Sequence, residues 1–130
     1  MTPESRYDSL FQFYAQEHNI PDWRLLKAQV KAESNFNPTA RSVDGALGLA
    51  QFMPLTFNDW ARRLFIPNPN PYNPEHSIWC QAAYMRWLMD QFPHNGDKAL
   101  AAYNFGVGRV HNIPSWLSSE SGNRRLLCLG

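Results

Sequence analysis

With 130 residues, 12 Lys and Arg against 11 Asp and Glu, and a formal net charge of +1, the chain is sized for one domain and carries no basic stripe for nucleic acid. No apolar run approaches the length of a membrane-spanning helix, so membrane insertion is not expected. Two cysteines do not make a disulfide framework, and His18, His76, His94 and His111 stand isolated rather than at metal-ligand spacing, so no metal or cofactor is expected.

Thr2-Pro3-Glu4 predicts a helix start, with Thr2 as N-cap and Pro3 at the first helical position. Tyr7, Leu10, Phe11 and Tyr14 then mark a buried stripe up to about His18. Asn19 to Asp22 resets the chain for an amphipathic helix over Pro21 to Asn35, which Asn37-Pro38 ends because the residue before proline is pushed out of the α region. Pro38, Asp44, Gly45 and Gly48 punctuate an irregular stretch from 38 to 50, suited to a turn or small hairpin. A third helix begins around Pro54, with Phe57, Trp60, Ala61 and Leu64 on one face. Residues 66–73 carry three prolines and three asparagines and form a loop.

Asn73-Pro74-Glu75 is another strong helix start. From Pro74 to Phe92, Ile78, Ala82, Met85, Met89 and Phe92 follow at helical steps, with Trp79, Cys80, Ala83, Tyr84 and Trp87 opposite. A helix apolar nearly all round belongs at the centre of the fold. Cys80 within it reads as a buried thiol, and a pair with Cys128 in the tail stays open. Pro93 to Gly96 breaks this helix, Asp97 caps a short helix through Asn104, and Gly106 and Gly108 end it. From Ile113 onward the signals fade. The reading is a mainly α single domain over residues 1–130, with at most one small β-hairpin.

One residue breaks the pattern. Leu26, Val30 and Glu33 follow each other at steps of four and three, which puts all three on one helix face. A lone Glu at a helix end usually keeps its carboxylate in water. Here it closes an apolar stripe in the last turn, where burial and the negative end of the helix dipole both disfavour a second negative charge. Both effects push its pKa upward, as a carboxylic acid needs in order to donate a proton near neutral pH. Aromatic content of 14%, with five Trp, is also high. Most of those rings serve the core, and a surplus suits a groove in which rings stack on sugar faces.

Three segments stand out together: Glu33-Ser34-Asn35-Phe36-Asn37-Pro38, Gly45-Ala46-Leu47-Gly48-Leu49-Ala50-Gln51-Phe52-Met53-Pro54, and Ala101-Ala102-Tyr103-Asn104-Phe105-Gly106-Val107-Gly108. In order, spacing and content they resemble the soluble lytic transglycosylase (SLT) domain family, which has the goose-type lysozyme-like helical fold, from roughly Ile20 to Val110. The resemblance implies roles residue by residue. Glu33 matches the catalytic acid and Ser34 the small polar residue beside it. Gly45, Gly48, Gln51 and Met53 match the block lining the groove under the scissile bond, with Gln51 hydrogen-bonding the sugar. Tyr103 and Asn104 match the pair near the acid, the phenol donating to Glu33. Ser77-Ile78 and Tyr84-Met85 match the family's Asn-Ile and Tyr-Leu positions. Ser77 replaces Asn and Gln81 stands where Gly is commoner, departures that leave the site intact. Residues 114–130 are an atypical tail, with Glu120 alone in a Ser-rich context.

The implied activity is cleavage of the N-acetylmuramyl to N-acetylglucosaminyl bond of peptidoglycan glycan strands, forming a 1,6-anhydromuramyl product without a metal. The residues agree. A glycosidase that uses water normally adds a second carboxylate, and Asp44, the only acidic residue in the irregular stretch, sits in an Asp-Gly turn setting. A single acid suits transglycosylation, and Gly45 and Gly48 allow either tight turns or close backbone approach to a ligand. Two alternatives stay open: a hydrolytic muramidase assisted by Asp44, and a non-catalytic peptidoglycan-binding module. The start of the chain shows no signal peptide. A monomer made in the cytoplasm and acting in the periplasm or cell wall is therefore expected, phage-encoded, virion-associated or bacterial, and delivered by a holin, a virion or a secretion machine.

Overall fold

The computed structural model describes residues 3–108, with side chains described for 4–104; Thr2, Ile113, Glu120 and Cys128 lie outside the described residues. Among the described residues the secondary structure is helical, joined by one long irregular loop.

The chain enters through a 3-10 turn at Pro3–Ser5 and only then winds into α1, Asp8–Glu17. The expected continuous helix from Pro3 is broken at Tyr7, whose φ of −109° and ψ of 11° are not helical. The break lets the Tyr7 ring join Phe11, Tyr14 and Ala15 in the core. α1 closes as a Schellman motif, with Asn19 left-handed at φ 58°, its N–H on the Gln16 carbonyl and the Ile20 N–H on the Ala15 carbonyl.

Helix α2, Arg24–Ser34, buries Leu26, Gln29 and Val30. Against the expected Pro21 to Asn35 it starts three residues later, at Arg24, and ends as expected, with Asn35 as its C-cap. Asn35 (φ 50°) and Phe36 (φ 62°) are both left-handed. Asn tolerates that conformation better than most residues, and the reversal drives the Phe36 ring into the core, 7% exposed. Burial of a large ring, invisible in local propensity, accompanies the turn that follows α2.

Helix α3, Pro54–Arg63, buries Phe57, Trp60 and Ala61 as the spacing predicts, with Thr56 beside them, while Leu64 at its C-cap is only half-buried. Helix α4, Pro74–Gln91, starts where Asn73-Pro74-Glu75 says it should: the Asn73 carboxamide accepts from the Glu75 N–H at 2.9 Å and the His76 N–H at 3.2 Å. α4 touches α1, α2, α3 and α5, which is why its sequence is apolar on nearly every side. Its polar Gln81 is buried as well. Nε2 of Gln81 donates to the Leu26 carbonyl (3.0 Å) and to Gln29 Oε1 (2.9 Å), while Gln29 Nε2 donates to Met85 Sδ (3.4 Å). These bonds key α2 onto α4 one helical turn before Glu33.

Helix α5, Gly96–Gly108, corrects two expectations. Its cap is Asn95, whose Oδ1 accepts from the Lys98 N–H at 3.1 Å, and Asp97 lies inside the first turn, where its charge favours the helix dipole. Gly106 does not end the helix, which continues to Gly108. The loop between α2 and α3 contains no paired strands, only isolated antiparallel bridges of Leu47 with Arg41 and with Phe52.

Candidate active site

Glu33 lies in the last turn of α2 and is half-buried. It is electrostatically coupled to Tyr103 on α5, whose ring is completely buried. Burial holds the Tyr103 hydroxyl well above its ordinary value, and the charge of Glu33 pushes it the same way. The phenol therefore stays protonated and can serve only as a neutral hydrogen-bonding group. It rests on an aromatic floor, with Tyr84 at 5.4 Å and Phe52 at 6.4 Å between ring centroids. Trp60 and Trp87 extend that floor, so much of the aromatic surplus is core.

The hydroxyl of Tyr103 donates to the Ala50 carbonyl at 3.5 Å, a long contact, so Glu33 and Tyr103 are linked through space and this phenol also faces the loop. Ser34 turns inward too. Its Oγ donates to the Leu49 carbonyl at 2.8 Å and approaches the Val30 carbonyl at 3.2 Å, so the hydroxyl proton fastens α2 to the loop. Ser77, at the start of α4, accepts the Ala50 N–H on its Oγ at 3.1 Å. This contact is the one that sequence reasoning missed. Its signal was a small hydroxyl in a position where the resembling family has Asn.

The glycines of the loop block serve its own backbone packing. Gly48 is left-handed at φ +79°, and a Cβ there would stand 2.1 Å from the Pro71 carbonyl oxygen. This close approach is to the protein's own backbone. Gly45 (φ +94°) completes the turn Ser42–Gly45, in which its N–H reaches the Ser42 carbonyl at 3.1 Å. Asp44 occupies that turn and is exposed. Gln51 is only 5% exposed, and its Nε2 donates to the carbonyls of Gly48 (2.8 Å) and Ala40 (3.2 Å). The amide nitrogen is thus spent on the loop. Met53 is half-buried at the entrance to α3, and Asn104 is exposed beside the buried Tyr103.

The structure therefore brings Glu33, Ser34, Tyr103 and the Leu49-Ala50 backbone together. It sets Asp44 out on a turn. Among the described residues no group of three or more His, Cys, Asp or Glu is placed to hold a metal ion, and no helix is long and apolar enough to cross a membrane. Cys80 is a buried thiol whose pKa burial pushes up to about 12.

A helical domain organised around a helix-end carboxylate coupled to a buried phenol has a lysozyme-like arrangement. The profile of the Transglycosylase SLT domain matches residues 9–122, and the chain belongs to that family. It is 33% identical over 120 residues to the soluble lytic murein transglycosylase of Escherichia coli, a match that covers 89% of this chain and 18% of the relative. It is 37% identical over 109 residues to the peptidoglycan transglycosylase gp16 of Escherichia phage T7, covering 83% of this chain and 8% of the relative. The solved lytic transglycosylase Slt from Pseudomonas aeruginosa, an inactive Glu-to-Gln mutant, shares the fold with a TM-score of 0.74 at 28% identity, covering 95% of this chain and 21% of that one. The chain spans about a fifth or less of the length of these relatives.

Proposed function

We propose that this domain is a peptidoglycan lytic transglycosylase. It cleaves the β-1,4 bond from N-acetylmuramic acid to N-acetylglucosamine and leaves a 1,6-anhydromuramyl end. The observation that carries the reading is Glu33 in the last turn of α2, half-buried and within electrostatic reach of Tyr103. Membership of the Transglycosylase SLT domain family supports the same chemistry.

In the first half of the reaction the protonated Glu33 gives its proton to the glycosidic oxygen. The C1–O bond breaks, and the N-acetylglucosamine departs with a free 4-hydroxyl while C1 of the muramyl residue gains oxocarbenium character. The carboxylate so formed then takes the proton of the muramyl 6-hydroxyl as O6 attacks C1. Glu33 ends as it began, and no water is consumed. Because attack occurs within one sugar, no second carboxylate is needed to position a nucleophile. The neutral phenol of Tyr103 beneath the acid adds no competing charge, and Gln51 Oε1, Met53 and Asn104 are the groups offered to the glycan around it. The T7 relative supports a phage setting for this activity, with the wall reached through a holin, a virion or a secretion machine.

The test is digestion of purified sacculi by wild-type protein and by Glu33→Gln, with pull-down on the same sacculi. The expected result is release of muropeptides by the wild type alone and equal binding by both. Equal release by the two proteins would falsify the assignment of Glu33.

A further inference from the structure

We propose that Ser77 is a positioning residue for this reaction: with Ser34 it pins the Leu49–Ala50 peptide, and that peptide sets Tyr103 and the Glu33 turn against each other. The inference rests on the transglycosylase reading above.

The Leu49–Ala50 peptide unit is planar, so its carbonyl and its N–H point in opposite directions from one rigid plate. Both ends are taken. Ser34 Oγ from α2 donates to the Leu49 carbonyl at 2.8 Å, and Ser77 Oγ from α4 accepts the Ala50 N–H at 3.1 Å. Holding both edges of a plate fixes its tilt, and the next carbonyl in the chain, that of Ala50, is the one on which the Tyr103 hydroxyl rests. The plate thus joins α2 beside Glu33, the start of α4 and the phenol of α5.

The site of attachment is dry. Leu49 and Ala50 are fully buried and Ser77 is 1% exposed, so water cannot replace a lost partner. Ser77 is itself anchored by its N–H on the Asn73 carbonyl, the residue that caps α4. Without its hydroxyl the Ala50 N–H has no acceptor here, and the plate can tilt about its remaining bond to Ser34. Tilting moves the Ala50 carbonyl and the phenol with it, while the Gln51 side chain, tied separately to the Gly48 and Ala40 carbonyls, keeps its place. The signature is a fall in kcat at constant KM.

The experiment compares wild type, Ser77→Ala and Ser77→Thr. It measures amide hydrogen exchange at Ala50 by NMR, the melting temperature, and kcat and KM on soluble glycan fragments of peptidoglycan. Ser77→Ala is expected to speed exchange at Ala50 by about tenfold and to lower kcat by about tenfold at unchanged KM, on the scale of one buried hydrogen bond. Ser77→Thr, which keeps the hydroxyl, is expected to restore both. Wild-type exchange at Ala50 in a folded Ser77→Ala protein overturns the proposal, as does faster exchange with kcat unchanged. A wild-type enzyme that releases no anhydro product overturns the activity reading instead, and exchange at Ala50 still decides whether Ser77 holds the peptide.

Discussion

Ser34 Oγ and the Leu49 carbonyl lie 2.8 Å apart, which fastens the helical turn that carries Glu33 to the loop beneath it. The residue beside the acid therefore acts on the protein before it acts on any substrate. Ser34→Ala leaves the Leu49 carbonyl, in a fully buried residue, without that donor, and is expected to cost about 1 kcal/mol of stability. Denaturant unfolding of the two proteins checks it, and an unchanged midpoint would show that the bond contributes nothing.

Gly48 is a packing requirement. Ala at this position must adopt φ near +79° and push its Cβ to 2.1 Å from the Pro71 carbonyl oxygen. Both penalties act together, so Gly48→Ala is expected to destabilise the domain by about 3 kcal/mol or more. A melting curve decides the matter. Wild-type stability would mean that the loops at 48 and 71 are not held together.

Phe65 offers the opposite case. It is 89% exposed, sits left-handed at φ 57° just after α3, and forms the Schellman closure with its N–H on the Arg62 carbonyl and the Ile66 N–H on the Ala61 carbonyl. Nothing buried holds it in that conformation. Phe65→Gly is expected to raise stability by about 1 kcal/mol, the left-handed penalty removed less the entropy that glycine adds to the unfolded chain. Thermal unfolding measures the shift, and a lower melting temperature would contradict it.

Helix starts and the central helix were legible in the sequence because their signals are local: Pro54, Asn73-Pro74-Glu75, and an apolar run over 74–92. So was the place of Glu33, since helical spacing alone puts it on the buried face of α2. The rest depends on partners far away in the chain. The turn after α2 goes with burial of Phe36, the cap of α5 is Asn95 where Asp97 was equally suited, and α5 runs through Gly106 to Gly108. In the site, Gly48 answers to Pro71, Gln51 to Ala40, and Ser77 to Ala50. Spacing along one chain names such residues and leaves open what they touch.

The Cys80 thiol gives a pH dependence with a definite sign. Burial raises it from an ordinary value of 9.0 to about 12. Between those values the unfolded chain releases a proton that the folded chain keeps, so stability is full below pH 9 and is lost as pH rises toward 12. Cys80→Ala removes this contribution. Urea midpoints at pH 8 and pH 10 are expected to fall more steeply for wild type than for Cys80→Ala, and parallel losses would show that the thiol ionises freely in the native state.

The central claim is that Glu33 turns the substrate's own 6-hydroxyl into the nucleophile. Digestion of sacculi in water enriched in oxygen-18, followed by mass spectrometry of the released muropeptides, tests it most directly. Attack by the 6-hydroxyl yields anhydromuramyl products that carry no heavy oxygen. Products one water heavier, with the label at the new reducing end, would contradict it.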